Sequence, residues 1–290
     1  MTRTAARGDF RFFERLRVRW AEIDAQKIVF NGHYLMYFDT AVAGYWRALA
    51  LPYAPTMETL EGDLYVRKAT LEYHASALYD DLIDVGMRCE RVGNTSMLLA
   101  AAVFRGEQLL VSGELVYVFA DPRTQTARPV PQALRDILTG FEAGEAMLGV
   151  EIGAWPRLGA EARALRREVF IEEQGIPAAL ATDDADITAV HAITRNRLGR
   201  PLGTGRLLTA APGVGRIGRM AVMRALRGGG AGRAVLDALV AAARARGDRE
   251  VVLDAQLTAV EFYRRAGFAP CGPRFVEAGI VHQPMSLALQ

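Results

Sequence analysis

The chain has few of the residues that build disulfide frameworks or metal centres. Among 290 residues there are only two cysteines and four histidines. The cysteines, Cys89 and Cys271, are far apart in the sequence, so they give neither a disulfide framework nor the ligand spacing of a zinc site. We therefore expect a reducing environment and no bound metal.

Long apolar runs and an excess of one charge are also missing. No run approaches the ~18 residues that a membrane-spanning helix needs, and the first twenty residues lack the apolar core of a signal peptide. The formal net charge is only +2, and no basic run is interleaved with aromatics as in nucleic-acid-binding segments. We expect a cytoplasmic protein that binds neither membranes nor nucleic acid. Its 51% hydrophobic composition predicts a globular chain with enough length for two cores.

The first half predicts one buried helix and a set of long strands. Apolar residues recur at helical spacing over residues 32–49, and their wide arc indicates burial on most sides. Arg105-Gly-Glu107 predicts a tight turn between two strands. This pattern indicates an α+β fold in which an antiparallel sheet wraps round a central helix. The predicted strands cover 63–76, 81–92, 95–105 and 108–120, and a short helix covers 131–142.

The second half alternates between helices and strands, which predicts an α/β domain. Gly247 fits the residue just after the end of a helix. Its predicted helices cover 157–173 and 231–246, and its predicted strands cover 188–195, 202–209, 216–222 and 250–254. We place the two domains at 1–140 and 152–290, with a linker at 141–151.

A glycine-rich loop, Arg227 to Gly232, separates a predicted strand from a predicted helix. Glycines there let a ligand approach the backbone, and the N–H groups and dipole of the helix favour a phosphate. A glycine turn without a ligand is the alternative. The loop lacks the Gly-Lys-Ser/Thr ending of a P-loop. A dinucleotide-binding fingerprint would follow the first strand of its domain, whereas this loop follows the third or fourth.

The loop resembles motif A of the GNAT acetyltransferases, with Arg227, Gly230 and Gly232 at the defining positions. Ile217 to Val222 is similar to the splayed strand of that family, which pairs with the pantetheine arm of acetyl-CoA. The resemblance covers about 152–290 and implies a mixed sheet with acetyl-CoA, or CoA, as a substrate. The residues that it implies for CoA binding are Met220, Ala221, Val222, Arg227, Gly228, Gly229, Gly230, Ala231, Gly232, Arg233, Gln256 and Phe262.

Residues 261–268 are similar to a late helix of the same family, in which Tyr263 protonates the departing CoA thiolate. A phenol suits that step because it keeps its proton at neutral pH; an ordinary packed aromatic is the alternative. Residues 167–177 and 278–285 resemble the ElaA-like branch. An unidentified amine acceptor needs a base, and the candidates are Glu173, His191 and His282, each with a structural role as its alternative. An acyl-homoserine-lactone synthase, suggested by residues 167–170, ranks lower.

The polar stretch ahead of the first helix, Asp24 to Tyr34, resembles the hotdog acyl-CoA thioesterases of the YbgC/4-hydroxybenzoyl-CoA class. Asp24 falls at the catalytic carboxylate and Tyr34 at the family tyrosine, and the resemblance covers about 10–140. A helix N-terminus presents N–H groups that stabilise the oxyanion formed from a thioester, and Asn31 and Gly32 would supply them. Two further residues could position water or substrate: Gln26 and His33. A capping or loop role for Asp24 is the alternative.

Together these resemblances predict a bifunctional CoA-dependent enzyme: a hotdog acyl-CoA thioesterase followed by a GNAT N-acetyltransferase. The hotdog family implies a homodimer or homotetramer, and Arg67 and Lys68 are candidates for contacting CoA phosphates. Gln26-Lys27 replaces the small pair common in the thioesterases, and Asn31 replaces a common histidine. Two alternatives therefore stay open: a single acyltransferase with an oligomerising or acyl-binding hotdog half, and a non-catalytic CoA-binding protein.

Overall fold

The computed structural model describes residues 5–289, and the chain divides into two compact units at Met147/Leu148. That boundary lies inside the segment predicted as a linker, and a strand of the second unit begins at Leu148 itself. Within residues 5–289, no helix is both long enough and apolar enough to cross a membrane.

The first unit is built on a five-stranded antiparallel sheet with the order β1-β3-β4-β5-β2. The four long strands predicted from the sequence are confirmed. Arg105 pairs with Gln108, and the intervening Gly106 has a φ of 58°, so the predicted hairpin turn is confirmed as well. The strands are β1 (Phe12–Arg17), β2 (Asp63–Tyr73), β3 (Leu82–Val92), β4 (Ser96–Arg105) and β5 (Gln108–Ala120).

The predicted central helix is α1 (His33–Ala48), which buries one face that includes Tyr34, Phe38 and Tyr45. Gly113 on β5 lets this helix lie close to the sheet, because a Cβ there would come within 2.7 Å of the Phe38 ring. The sequence did not predict α2 (Tyr53–Thr59), since Pro52 and Pro55 indicated only the end of α1. Prolines are tolerated at a helix start, where their missing N–H needs no intrahelical acceptor.

The last helix of this unit, α3 (Gln132–Glu142), lies where the sequence predicted it. Its Glu142 carboxylate accepts the hydroxyl of Tyr45 and, at 2.9 Å, the N–H of Cys89. Burial and this carboxylate raise the pKa of the Cys89 thiol to about 12. The thiol is therefore protonated at neutral pH and is a poor nucleophile.

The second unit has an eight-stranded mixed sheet with the main order β11-β13-β10-β9-β8-β7-β6, and β12 pairs with β13. β9 and β10 are the parallel pair, whereas the other pairs are antiparallel. Sequence analysis missed β6, which lies in the predicted linker, and the last three strands. The strands are β6 (Leu148–Ala154), β7 (Val190–Asn196), β8 (Pro201–Ala211), β9 (Val214–Val222), β10 (Glu250–Gln256), β11 (Ala269–Pro270), β12 (Phe275–Glu277) and β13 (Ile280–Ala288).

Three helices accompany this sheet: α4 (Trp155–Arg166), α5 (Ala231–Arg246) and α6 (Val260–Arg265). The predicted helix 157–173 is shorter than expected as an α-helix, because residues 167–173 continue it with π-helical geometry. The span of α5 is as predicted. It buries an apolar stripe, including Val235 and Leu239, against the sheet, and Gly247 ends it in the left-handed region.

A network of buried ions joins α4, β8 and the loop before β7. Arg166 is fully buried, and its Nη1 lies 2.8–2.9 Å from both carboxylate oxygens of Asp186. Arg206 binds Asp186 at 2.8 Å and Asp183 at 2.6 and 2.7 Å. Arg219 donates to Asp183 at 2.8 Å. Hydrogen bonds from the arginines outweigh burial and hold the pKa of Asp186 below its usual range.

We expect Asp186→Asn to destabilise the second unit by about 3–5 kcal/mol, because it leaves Arg166 and Arg206 buried without their shared carboxylate. The matched control is Asp184→Asn, since Asp184 is exposed two residues away. Denaturant unfolding of both variants measures the effect. Equal unfolding midpoints for the two variants would show that the network contributes little to stability.

Candidate functional site

In the first unit, Asp24 begins a tight hairpin loop. Its N–H donates to the carbonyl of Ile28 at 2.9 Å, and its own carbonyl accepts from Lys27 at 3.0 Å. Ile23 and Val29 pair beside the loop. Lys27 has a φ of 63°, the left-handed conformation that such a loop requires at this position and that glycine adopts most readily. The loop therefore has regular geometry, even though Lys27 replaces one of the two small residues that are common at this place in the thioesterases.

One oxygen of the Asp24 carboxylate is engaged within the loop and the other is open. Oδ1 accepts the N–H of Gln26 at 2.8 Å, a common contact for an aspartate that starts a turn. Within residues 5–289, Oδ2 has no hydrogen-bond partner. The turn thus orients the Asp24 side chain and leaves its second oxygen without a hydrogen bond in the described part of the chain. These contacts agree with a structural role for Asp24 and with a catalytic one.

The same hairpin leads into the N-terminus of α1. Phe30 donates to the carbonyl of Glu22 at 2.9 Å, and His33 donates to Phe30 at 2.9 Å. Gly32 occupies the N-cap without a side-chain cap, and in the described part of the chain the N–H groups of Asn31 and Gly32 have no acceptor. The pairing of Ile23 with Val29 links the loop that carries Asp24 to the segment that leads into this helix end.

Buried side chains that sequence analysis did not single out hold this arrangement. Glu22 is 3% exposed and accepts from Tyr37 Oη at 2.8 Å and from Arg19 Nε at 2.8 Å. The Tyr34 hydroxyl accepts the N–H of Ala77 at 2.9 Å, and burial raises the pKa of this phenol. Tyr34 is thus a structural anchor of α1. Gln26 is exposed, and the half-buried His33 ring lies edge-on to Phe30.

In the second unit, β9 and β10 separate and leave a cavity between them. They pair only from Val214 to Arg216 with residues 250–252, so the edge of β9 that faces β10 is open beyond Arg216, across Met220, Ala221 and Val222. A β-bulge with Arg219 at a φ of 53° accompanies this separation. The cavity measures about 320 Å³, and its lining includes Met220, Gln256, Tyr263 and His282.

The glycine loop follows the open end of β9. Gly228 and Gly230 have φ values of 86° and 88°, and each has open space or only a distant neighbour where a Cβ would lie. Their backbone conformation is therefore the reason for glycine at these positions. Gly230 is the uncapped N-cap of α5, which leaves the first N–H groups of the helix, from Ala231 to Arg233, available to an anion. Gly232 lies beside Phe262, since a Cβ at this glycine would be 3.7 Å from the Phe262 ring.

Two residues predicted for different roles, Arg227 and Glu173, form an ion pair. Arg227 Nη1 and Nη2 lie 2.6 and 2.7 Å from the Glu173 oxygens, and its Nε donates to the carbonyl of Val222 at 3.2 Å. The guanidinium lowers the pKa of Glu173, which weakens this carboxylate as a base. Glu173 therefore fits a structural role that fixes the glycine loop to the π-helical segment.

Tyr263 lies on α6 and contributes to the wall of the cavity. It is 7% exposed, and its hydroxyl has no hydrogen-bond partner within residues 5–289. Burial raises its pKa, so the phenol is protonated at neutral pH. Phe262 packs edge-on against it, with ring centroids 4.9 Å apart. Gln256 ends β10 and donates to Gln174 Oε1 at 3.1 Å.

The two candidate histidines have different surroundings. His191 is fully buried; its Nε2 lies 2.9 Å from the carbonyl of Asp186, and burial lowers its pKa. This placement favours a structural role. His282 lines the cavity, and its Nδ1 lies 2.9 Å from the carbonyl of Ile280. Because a carbonyl only accepts, Nδ1 carries the proton, and Nε2 of the neutral ring is free to take one.

Comparison with known proteins supports each unit separately. A family model of the thioesterase superfamily matches residues 26–112, beginning just after Asp24. An Aquifex aeolicus protein, provisionally named an esterase, is 30% identical over 94 residues, which are 32% of this chain and 73% of that protein. The acyl-CoA thioester hydrolase YbgC of Escherichia coli is 24% identical over 120 residues, 41% of this chain and 89% of that protein.

The second unit matches a family model of the acetyltransferase (GNAT) domain over residues 161–289. The Bacillus subtilis protein YjcF, named an uncharacterized N-acetyltransferase, is 32% identical over 122 residues, which are 42% of this chain and 86% of that protein. Neither match covers half of the chain, and the two do not overlap. The matched segments thus correspond to the two compact units.

Proposed function

Because the chain belongs to both the thioesterase superfamily and the GNAT acetyltransferases, we propose that it is a bifunctional CoA-dependent enzyme. The first unit hydrolyses an acyl-CoA thioester, and the second transfers an acetyl group from acetyl-CoA to an amine. One observation carries the proposal: each unit combines an uncapped helix N-terminus with a side chain suited to thioester chemistry, Asp24 before α1 and Tyr263 beside the cavity.

In the proposed hydrolysis, the thioester carbonyl oxygen accepts from the N–H groups of Asn31 and Gly32. These donors stabilise the negative charge that develops when the carbonyl carbon is attacked. Asp24 acts through its open Oδ2, either by taking a proton from the attacking water or by attacking directly. In the first route water gives the carboxylate product directly. In the second route the acyl group forms an anhydride with Asp24, which water then hydrolyses, and CoA leaves as a thiol in both. In this proposal the exposed Gln26 and the half-buried His33 contact water or substrate.

In the proposed transfer, the open edge of β9 pairs with the amides of the pantetheine arm, as an added strand pairs with a sheet edge. The pyrophosphate lies on the N–H groups of residues 231–233, at the positive end of α5. Arg227 supports the loop from the side through Glu173 and Val222. Phe262 and Gln256 contact the thioester end of the cofactor.

The transfer itself needs one base and one acid. His282 Nε2 takes a proton from the acceptor ammonium, directly or through water, so that a neutral amine attacks the acetyl carbon. A C–N bond forms, and the C–S bond breaks when the tetrahedral intermediate collapses and loses its second amine proton to water. The departing thiolate takes a proton from Tyr263, which is protonated at neutral pH because burial raises its pKa.

The proposed assembly is a homodimer or homotetramer formed through the first unit. One edge of β2 has no strand partner within residues 5–289, and Val66 on that strand is 56% exposed. Leu35 and Met36 on α1 are 42% and 61% exposed. An unpaired strand edge of this kind can pair with a strand of a second copy. In this proposal the exposed Arg67 and Lys68 on β2 meet CoA phosphates.

A second candidate function is a single acetyltransferase whose first unit only oligomerises or binds acyl groups. The contacts of Asp24 favour this candidate, since the Oδ1 bond to Gln26 is what a turn aspartate makes without any catalytic role. It differs from the main proposal in one respect: the first unit would not hydrolyse any acyl-CoA.

We expect Asp24→Asn to lower the rate of thiol release from its best acyl-CoA at least ~100-fold, because the amide is neither a base nor an effective nucleophile. Asparagine preserves the turn, and Asp39→Asn is the matched control, since Asp39 is an exposed carboxylate on α1. A colorimetric thiol assay over a panel of acyl-CoAs measures the rates. Hydrolysis by Asp24→Asn at the wild-type rate would leave the second candidate as the better account.

Tyr263→Phe should lower amine-dependent thiol release from acetyl-CoA at least ~10-fold at neutral pH, because phenylalanine has no proton to give to the thiolate. Hydrolysis by the first unit should be unchanged, and Asp24→Asn should in turn leave amine transfer unchanged. Comparing both variants in both assays assigns each activity to one unit. Full transfer activity in Tyr263→Phe would rule out this tyrosine as the acid.

A further inference from the structure

We propose that the amine acceptor of the second unit is an amino acid, or a close zwitterionic relative, with Arg219 binding its carboxylate. This inference rests on the proposed transferase function and names the substrate class of the same cavity. The charged residues in the cavity wall are Arg206, Arg216, Arg219, Asp254 and Glu277. Arg216 and Asp254 form an ion pair with each other, so neither leaves a charge for a ligand.

The arginine side of the cavity has one unbalanced positive charge. The buried network contains three arginines, Arg166, Arg206 and Arg219, but only two aspartates, Asp183 and Asp186. His191, which lies beside Arg166, adds no negative charge to this network. Three guanidinium groups offer fifteen N–H donors, whereas two carboxylates offer about eight acceptor positions. The Nε atoms of Arg206 and Arg219 are enclosed without an acceptor in the described part of the chain.

Arg219 presents this surplus to the cavity. Arg206 is 6% exposed and uses both terminal nitrogens on the aspartates. Arg219 makes one ion-pair hydrogen bond, from Nη2 to Asp183, and its side chain is 29% exposed. Its backbone occupies the left-handed region at the bulge of β9, a conformation that is costly for a non-glycine residue and is often kept at functional sites.

The opposite wall carries a free carboxylate beside the proposed base. Glu277 and Ile280 are cross-strand neighbours in the β12–β13 hairpin, as are Phe275 and His282. Residues two apart share a face of a strand, so Glu277 and His282 lie on one face, and both line the cavity. Within residues 5–289, Glu277 has no ion pair. An ammonium group is attracted to this carboxylate and is then close to the base that deprotonates it.

The two walls together fit a molecule with an ammonium group at one end and a carboxylate at the other. A simple amine would leave the surplus charge of the Arg219 network unpaired, which is costly in a partly buried site. The rest of the lining includes the apolar side chains of Phe170, Ile176, Leu180 and Leu208. These would accept an apolar side chain, so leucine and phenylalanine are the preferred candidates.

The test compares matched acceptors with the full-length protein and acetyl-CoA. Each of the twenty amino acids is assayed beside its amide and its decarboxylated amine, for example L-leucine, L-leucinamide and 3-methylbutylamine. We expect kcat/KM for the preferred acid to exceed that of its amide and amine at least ~10-fold, the range for losing a charged hydrogen-bond partner. A wild-type enzyme that acetylates the amide or amine as well as the acid overturns the inference.

Arg219→Gln separates this recognition from a folding effect. It should reduce the preference for the acid over its amide to within about 3-fold, whereas a loss of folded enzyme would lower both rates equally and leave their ratio unchanged. Arg219→Lys should restore part of the preference, and Arg244→Gln, on the exposed last turn of α5, should keep all of it. An unchanged preference in Arg219→Gln overturns the inference while the transferase function stands. If no acceptor raises thiol release in the wild type, the proposed transferase function itself fails, and the inference fails with it.

Discussion

Both candidate sites depend on backbone N–H groups that the first turn of an α-helix cannot use internally. The first N–H groups of a helix have no carbonyl four residues earlier within the helix. In α1 and α5 the N-cap is a glycine, and no side chain caps either end. These helix ends can therefore receive negative charge from a ligand, whether an oxyanion or a phosphate. In the proposed function, the end of α1 receives a thioester carbonyl and the end of α5 receives a pyrophosphate.

Such a helix end is useful only if the helix is fixed, and buried contacts that take no part in the chemistry fix it. In the first unit, Tyr34 binds the backbone of Ala77, and Tyr37 binds Glu22 in the hairpin that carries Asp24. In the second unit, the apolar stripe of α5 fixes the helix against the sheet. The ion pair between Arg227 and Glu173 then fixes the loop ahead of that helix.

Periodic patterns made much of this structure predictable from the sequence. The span of α5 and that of β5 are as predicted, because each has a strong apolar pattern bounded by glycine or aspartate. The pattern failed for β6, which begins inside the predicted linker at 141–151, and for β11 and β12, which are only two and three residues long. Short strands are stabilised by their neighbours in the sheet, and a single sequence does not show which neighbours those are.

The candidate residues were predictable where a motif is local, and their partners were not. Asp24 and the glycine loop each lie within a few residues of the helix that they serve. The partner of Arg227, in contrast, is 54 residues away in sequence, and the partner of Arg166 is 20 residues away. Only the folded chain shows that Glu173 is held in an ion pair, that His191 is enclosed and that His282 faces the cavity. Those contacts are the reason why His282, and not Glu173 or His191, is proposed as the base.

The central claim is that one chain carries two separate sites for CoA thioesters. Calorimetric titration of the full-length protein with CoA tests it most directly. The account predicts two CoA molecules per chain in the wild type. In Gly230→Ala one of the two should be lost, because alanine is strained at a φ of 88° and disturbs the N–H groups that hold the pyrophosphate. A single site per chain in the wild type, or two undiminished sites in Gly230→Ala, would contradict the account.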